Sequence, residues 1–156
     1  MKAGNTVQLD KIDQNIIRQM RQNARITVTD LAEKVGISKT PCLNRLKRLE
    51  RDGYILGYTA LINHTKLAAG HIAYVQVTVS DTRSEALNAF NDAVRKIPEV
   101  TQCHMMAASF DYLLKVRTKD MTEYRTVLGE KISSLPHVSH TSTFAVMETV
   151  VDPGTD

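Results

Sequence analysis

The amino-acid sequence predicts an α+β protein with an all-helical N-terminal domain and a C-terminal domain of alternating strands and helices. Apolar residues recur with a helical period in the first third of the chain, whereas several later segments alternate apolar and polar residues as half-buried strands do. The charge divides at a similar place: residues 1–62 hold 11 lysines and arginines against 6 aspartates and glutamates, and residues 63–156 hold 9 against 11. We therefore expect a basic domain over residues 1–62, a connector over 63–70 and a second domain over 71–156.

The composition favours a globular protein. With 156 residues, 42% of them hydrophobic, the chain can form one or two small domains with a core in each. The sequence has no run of about 18 apolar residues that could span a membrane, and its start lacks the apolar segment of a secretory signal, so we expect a cytoplasmic protein. The two cysteines, Cys42 and Cys103, form no CxxC pattern and are expected to be free buried thiols.

The first predicted helix covers about residues 9–23. Its acidic residues Asp10 and Asp13 suit the positive end of a helix. Its apolar stripe consists of Leu9, Ile12, Ile16, Ile17 and Met20. This stripe supplies the third apolar face that a small three-helix core requires.

Residues 29–53 predict two short helices joined by a tight turn. Gly36 ends the first helix because glycine tolerates a left-handed backbone conformation. Ser38 can cap the second helix, and Pro41 falls in its opening turn, where a missing backbone donor costs least. The two apolar faces consist of Leu31, Ala32 and Val35, and of Cys42, Leu46 and Leu49. The pattern is that of a helix-turn-helix.

The outer face of the second helix is basic. A helix fits the DNA major groove, where amide and guanidinium groups reach base edges and other cations neutralise phosphates. The alternative is a solvated basic face on an ordinary helical hairpin. The combination of tight turn, early proline and one-sided charge favours DNA. The residues of this face and its flanks are Lys39, Thr40, Asn44, Arg45, Lys47, Arg48 and Arg51.

The β-prone run at residues 54–63 predicts a short strand or wing after the three helices, which would complete a winged helix-turn-helix. The C-terminal half then predicts six elements in the order strand, helix, strand, strand, helix, strand, which is the ferredoxin-like βαββαβ plan. Pro98 and Pro136 close the two helices, and Asp120 with Glu123 forms a capping signature for the second. The predicted elements are 71–80, 84–97, 100–108, 112–118, 120–135 and 139–151.

Four strands with both helices on one face leave the other face of the sheet without cover. Apolar residues occur on both faces, so pairing with a second copy of the chain is the economical solution. A dimer would also present two recognition helices about one turn of DNA apart. The apolar residues on which this expectation rests are Tyr74, Val75, Val77, Val79, Met105, Met106, Leu113 and Leu114.

Motifs of catalytic and metal sites are absent from the sequence. It contains no HxxxH or HxH pair, no glycine-rich phosphate loop and no GxSxG elbow. We therefore expect structural or solvated histidines and no metal or cofactor. The histidines concerned are His64, His71, His104, His137 and His140.

Four segments together resemble the Lrp/AsnC family, the feast/famine transcription regulators, and most of all its leucine-responsive members. They are LDKIDQNIIRQM, LAEKVGISKTPCLNRLKRLERDGYILGYTALIN, CHMMAASFDYLLKVRTKDMTEYR and SLPHVSHTSTFAVME. The resemblance implies a winged helix-turn-helix, a ferredoxin-like effector domain, dimers that assemble into tetramers or octamers, and an amino acid as the signal. Leucine and proline are the first amino acids to test, since regulators of leucine response and of proline catabolism both resemble this chain.

The resemblance also implies two sets of site residues. DNA contacts would fall on Ser38, Lys39, Thr40, Asn44, Arg45, Lys47 and Arg48. The effector would bind between effector domains, at Met105, Met106, Ala107, Ala108, Asp111, Met121, Thr141, Thr143 and Phe144. Backbone donors and hydroxyls can hold a carboxylate there, Asp111 can hold an α-ammonium group, and methionines adapt to an aliphatic side chain.

Three points stay open from the sequence. Relatives usually place glycine at the position of Ala108, where a methyl group obstructs close backbone approach or a positive φ. Asp111 can equally be a turn residue that binds nearby backbone. Haem-precursor decarboxylases resemble the same two-domain plan, which keeps an enzyme in view, but such an enzyme has no need of the basic recognition face.

Overall fold

The computed structural model describes residues 9–64 and 66–151. The chain forms two compact units, which divide between Ala60 and Leu61. The N-terminal unit contains α1 (Lys11–Gln22), α2 (Val28–Val35) and α3 (Lys39–Arg51). The C-terminal unit contains β1 (His71–Val79), α4 (Ser84–Val94), β2 (Val100–Met105), β3 (Tyr112–Thr118), α5 (Met121–Thr126) and β4 (Val138–Ala145). This is the predicted α+β architecture, a helix-turn-helix followed by a ferredoxin-like βαββαβ unit.

The ends of the first three helices follow their sequence signals, with one exception. Asp10 caps α1 through a reciprocal capping box with Asp13. Gly36 ends α2 with φ 74°, in the left-handed region. Ser38 is the N-cap of α3, but its side chain makes no capping hydrogen bond. The expected cap position is therefore correct, while the hydroxyl group stays available for another partner.

The three predicted apolar stripes meet in one core. Its buried members are Ile16, Met20, Leu31, Ala32, Val35, Cys42, Leu46 and Leu49. One further buried residue was not expected there. Asp13 is only 1% exposed, although we expected it merely to complement the end of the α1 dipole.

The short strand expected at residues 54–63 does not form among the described residues. Tyr54 and Ile55 donate backbone hydrogen bonds to the Leu49 carbonyl oxygen, and the side chain of Tyr58 donates to Glu50. A strand requires ladder hydrogen bonds from a neighbouring strand, and the described elements of this unit are all helices. The β-prone run therefore leaves the unit as irregular chain.

The C-terminal sheet has the strand order β2-β3-β1-β4, and its neighbours pair antiparallel. Alternate residues of β1 and β3 point to the helix side and are buried, among them Val75, Val77 and Leu114. Phe90 of α4 packs against Tyr112 of β3 with ring centroids 4.2 Å apart. The predicted alternation of β1 is confirmed, β3 shows the same pattern, and the core lies between the sheet and the two helices.

Several details of this unit differ from the expectation. Strand β2 ends at Met105 and β4 ends at Ala145, short of the predicted ends at 108 and 151. The predicted helix over 120–135 begins as α5, capped by Asp120, but continues as a π-helical segment, Val127–Ile132. Cys103 is exposed rather than buried. Its strand β2 is an edge strand, so it has a neighbour on one side only and less cover than the central strands.

Candidate nucleic-acid interface and ligand site

The outward surface of α3 carries a polar stripe at helical spacing. Thr40, Asn44, Lys47 and Arg51 follow one another at intervals of four, three and four residues, opposite the buried stripe of the same helix. All four are exposed. The fold therefore leaves an amide, a hydroxyl and two cations on the face that does not contact the core.

The leading end of α3 adds donors beside this stripe. Ser38 and Lys39 are exposed, and the N-terminal backbone N–H groups of a helix, with its dipole, favour anions such as phosphate. The hydroxyl of Ser38, which makes no capping hydrogen bond, can donate to such an anion. This end of the helix thus suits contact with a nucleic-acid backbone.

Arg45 and Arg48 lie on the flank of α3 that faces α1. Arg45 Nη1 is 2.6 Å from Asp10 Oδ2 and 2.9 Å from Asp13 Oδ1. Arg48 Nη2 is 2.6 Å from Asp13 Oδ2. Each guanidinium nevertheless keeps part of its surface open, with side-chain exposures of 28% and 34%. Two of the expected DNA-binding cations therefore also take part in ion pairs within the unit.

The hydrogen bonds of this cluster stabilise the charged forms of Asp10 and Arg45. The backbone N–H of Asp13 and the Arg45 guanidinium lower the pKa of Asp10. The hydrogen bonds from Arg45 to Asp10 and Asp13 raise the pKa of that arginine. The sequence contains a signal for this cluster that we missed. Asp13 precedes Ile16 by three residues and Met20 by seven, which places its carboxylate on the buried stripe of α1.

Five of the expected effector residues lie at or beside the β2–β3 connection: Met105, Met106, Ala107, Ala108 and Asp111. The carboxylate of Asp111 accepts a hydrogen bond of 2.8 Å from the Val79 N–H, and its own N–H donates to the Val77 carbonyl oxygen. The Met106 N–H donates to the Asp111 carbonyl oxygen. Asp111 therefore ties this connection to β1, which is the structural role that the sequence left open. Its other carboxylate oxygen, Oδ1, is not used in this contact.

The methyl group of Ala108 does not strain the backbone at this position. Among the described non-glycine residues, those with positive φ are Ala68 and His137. Ala108 is also exposed. One of the two reasons for a glycine at this position, a left-handed backbone, therefore does not apply to this chain.

The remaining expected effector residues are spread along the sheet. Thr141, Thr143 and Phe144 pair with Val77, Val75 and Tyr74 of β1, respectively. Asp111 directly precedes the start of β3, whereas Met121 begins α5, just after the end of β3. The two ends of a seven-residue strand are about 20 Å apart. One free amino acid cannot touch both ends, so these residues do not form a single pocket within one chain.

The described part of the chain contains neither a candidate metal site nor a helix that could span a membrane. It contains no group of three or more histidine, cysteine, aspartate or glutamate residues placed to hold a metal ion. The imidazole Nδ1 of His71 is 2.8 Å from the hydroxyl of Thr118 within the C-terminal unit. None of the described helices has the length and apolar character needed to cross a membrane.

Comparison with protein-family models gives two matches that together cover most of the chain. Residues 9–55 match a family described as winged helix-turn-helix DNA-binding. Residues 72–155 match the family described as Lrp/AsnC ligand binding domain. The first match covers the unit with the polar stripe on α3, and the second covers the sheet that carries the expected effector residues.

Individual proteins give the same result over nearly the whole length. The chain is 56% identical over 149 residues to a proline dehydrogenase transcriptional activator of Rhizobium radiobacter, which covers 96% of each protein. It is 45% identical to the leucine-responsive regulatory protein of Escherichia coli (strain K12), over 91% of this chain and 87% of that one. A transcriptional regulator of Neisseria meningitidis, solved as an L-Met complex, superposes with a TM-score of 0.87 at 31% identity, covering 93% and 94% of the two chains.

Proposed function

Because the chain belongs to the Lrp/AsnC family of transcription regulators, we propose that α3 reads a specific DNA sequence and that the C-terminal unit binds an amino acid effector. The observation that carries the first part is the exposed stripe on α3, which has no role in the core. Amide, hydroxyl and ammonium groups on one helix face are the groups that contact base edges in the major groove. The family match supports the second part.

We assign different tasks to the candidate DNA-binding residues. Thr40, Asn44 and Lys47 face outward and reach base edges. Ser38 and Lys39 contact phosphates at the leading end of α3. Arg45 and Arg48 contact phosphates from the flank, because a guanidinium group has five N–H donors and those bound to Asp10 and Asp13 use only some of them.

Replacing Asn44 and Lys47 with alanine is expected to remove specific DNA binding. Both side chains are exposed and have no structural partner among the described residues, so folding should not change. We expect the affinity for the cognate duplex to fall about 30-fold or more, since one good contact to a base pair provides about 1–3 kcal/mol of discrimination. The cognate sequence is first selected from random duplexes with the wild-type protein, and affinities are then measured by gel retardation at constant salt.

A matched control removes the same residue types elsewhere. Asn88 and Lys96 are exposed and lie in or just after α4 of the other unit. Their replacement with alanine should change the affinity less than about threefold, since it removes the same charge without removing a groove contact. Equal losses in the two double variants would refute the assignment of α3.

We propose that the protein works as a homodimer that can assemble further. Several residues on the helix-free face of the sheet are apolar and at least partly exposed, including Tyr74, Leu113 and Phe144, the last of them 52% exposed. A second copy can cover this face and place a second α3 on a pseudo-palindromic site. Selection of two related half-sites about one helical turn apart would be the corresponding DNA signature.

The effector site is proposed to lie between copies of the chain. Asp111 and Met121 lie beyond opposite ends of β3, so a second subunit is required to bring both groups to one small ligand. In this arrangement the second carboxylate oxygen of Asp111 accepts from the α-ammonium group. Methionines adapt to the aliphatic side chain, and exposed Met105 and Met121 are available for this purpose.

Thermal unfolding in the presence of each of the twenty amino acids is expected to identify the effector. Leucine and proline come first because of the named relatives, and methionine follows because of the Neisseria complex. A ligand at one hundred times its dissociation constant stabilises the bound state by about 2.7 kcal/mol, which corresponds to a shift of about 5 °C or more. The midpoint shift of the wild-type protein is the measurement.

The variant Asp111→Asn tests the ammonium contact. Asparagine keeps an oxygen that can accept from the Val79 N–H but lacks the negative charge, so we expect the fold to persist and the effector-induced shift to disappear. Asp92→Asn, an exposed carboxylate of α4, is the matched control and should retain the full shift. A full shift in Asp111→Asn would show that the carboxylate only ties the loop to β1.

The proposed role is regulation rather than catalysis, and the proposed compartment is the cytoplasm. The relatives reported above are named as regulators of transcription, in agreement with the helix-turn-helix match. Binding of the effector between subunits would favour one assembly state over another and so change the affinity for DNA. Such coupling requires only that the two states bind the effector differently.

A further inference from the structure

The carboxylate of Asp13 is the centre of a cluster that joins two helices. Its side chain is 2% exposed, and its two oxygens receive hydrogen bonds from separate arginines of α3. Oδ1 accepts from Arg45 at 2.9 Å and Oδ2 from Arg48 at 2.6 Å. Oδ2 also accepts from the backbone N–H of Asp10 at 3.3 Å. One buried charge thus binds the start of α1 to two points on α3.

We infer that Asp13 is a positioning residue for DNA recognition, which acts through Arg45 and Arg48 to set the rotation of α3 about its own axis. The inference rests on the proposed DNA-binding function. Asp13 itself does not contact DNA, because it lies in the core between the helices. It determines where the outward stripe points.

The geometry of the cluster favours this role. Arg45 directly follows Asn44, and Arg48 directly follows Lys47, so each anchored side chain is covalently next to an outward-facing one. A rotation of α3 by about 20° would move its outer surface by about 2 Å, because the radius of a helix with its side chains is about 5–6 Å. Such a displacement exceeds what a hydrogen bond to a base edge tolerates.

The core alone does not supply the same constraint. Apolar contacts between α1 and α3 are non-directional, whereas charged hydrogen bonds fix distance and angle. An apolar residue at position 13 could fill the core equally well, since buried ion pairs are commonly replaceable by apolar groups without loss of stability. A fixed orientation of α3 is what the carboxylate adds.

The variant Asp13→Asn distinguishes two effects, because simple electrostatics and loss of positioning predict opposite changes in DNA affinity. Removing a negative charge beside a DNA-binding helix strengthens DNA binding by simple electrostatics. Loss of positioning weakens it. We expect the affinity for the cognate duplex to fall at least about tenfold, since hydrogen bonds to charged groups contribute about that factor or more. We also expect the ratio of cognate to random-sequence binding to fall.

Asp30→Asn is the matched control. Asp30 lies in the first turn of α2, as Asp13 does in α1, and its carboxylate accepts from the hydroxyl of its own N-cap residue, Thr27. The substitution changes the charge equally without touching α3. We expect unchanged or slightly tighter DNA binding. Circular dichroism at the assay temperature gives the folded fraction, by which each affinity is corrected.

A second pair of variants tests the inference if Asp13→Asn unfolds. Arg48→Lys keeps the charge but loses the planar guanidinium that points at Asp13. Arg95→Lys makes the same change at an exposed arginine of the C-terminal unit, which pairs with Asp92. We expect Arg48→Lys to lower the cognate affinity more than Arg95→Lys. If Asp13→Asn folds, adding Arg48→Lys should lower the cognate affinity only slightly further, because both substitutions disrupt the same contact between Asp13 and Arg48.

The outcomes separate this inference from the proposed function. If the wild-type protein selects no duplex sequence, both fail. If it does, and loss of Asn44 and Lys47 abolishes binding while Asp13→Asn binds as tightly as Asp30→Asn, only the positioning role is overturned. Equal affinities of the Arg48→Lys and Arg95→Lys variants would overturn it in the same way. Weaker binding by Asp13→Asn and Arg48→Lys alone supports it.

Discussion

A chain that carries Arg45→Met and Arg48→Met is expected to lose about 3–5 kcal/mol of unfolding free energy in its N-terminal unit. The two substitutions leave the Asp13 carboxylate buried without a cationic partner, because both guanidinium groups that reach it come from α3. Desolvation of the carboxylate is then no longer offset by attraction. A small three-helix unit has a stability of the same magnitude, so α1 to α3 should be largely unfolded at 25 °C.

Amide hydrogen exchange measured by mass spectrometry reports each unit separately and is the appropriate measurement. We expect peptides of α1 and α3 to lose protection while peptides of β1 and β3 retain it. The matched control adds Asp13→Leu to the two methionine substitutions. Replacing the whole ionic cluster by apolar residues should restore most of the protection, because it removes the unpaired charge. If the double variant is as protected as the wild type, the cluster contributes nothing to folding.

The second large effect is expected at Phe90. Its side chain is fully buried and packs against the Tyr112 ring at 4.2 Å between centroids. Phe90→Ala should lower the stability of the C-terminal unit by about 3–5 kcal/mol, since it removes buried apolar area and leaves a cavity that the sheet and α5 can fill only partly. Urea unfolding followed by circular dichroism and tyrosine fluorescence provides the measurement, as the chain contains no tryptophan.

Met147→Ala is the control for this substitution. Met147 follows β4 and is fully exposed, so its truncation should change stability by less than about 0.5 kcal/mol. The comparison separates loss of core packing from loss of a large apolar side chain as such. A midpoint for Phe90→Ala that matches the midpoint for Met147→Ala would contradict the assignment of Phe90 to the core.

Local periodicity was sufficient to predict most of the elements and the buried side of the first three helices. The apolar residues of α3 recur at 42, 46 and 49 because a helix returns to the same face after three or four residues. The same rule places Asn44 and Lys47 outside. In β1, alternation places Val75 and Val77 on the same face because a strand has a period of two, and the structure shows that this face is buried. Each of these inferences uses residues only a few positions apart.

Predictions that depend on contacts between residues distant in the sequence were wrong more often. Residues 54–63 have the composition of a strand, but a strand also needs a partner, and the described N-terminal unit offers none. Cys103 has the hydrophobicity of a buried residue, but its position on an edge strand was set by the order of the sheet. For the effector site, the resemblance supplied a set of residues, and only the strand register placed them at different ends of the sheet.

Local patterns in the chain are sufficient for the two-unit α+β architecture, the buried stripes of the helices, the end of α2 at Gly36 and the outward face of α3, because helix and strand periods are local properties. The burial of Asp13 and its ion pairs with Arg45 and Arg48 follow from how the helices pack, since these arginines lie 32 and 35 positions away in the chain. A local pattern shows which side of a helix is apolar. Which charged groups meet across that side depends on how the helices pack.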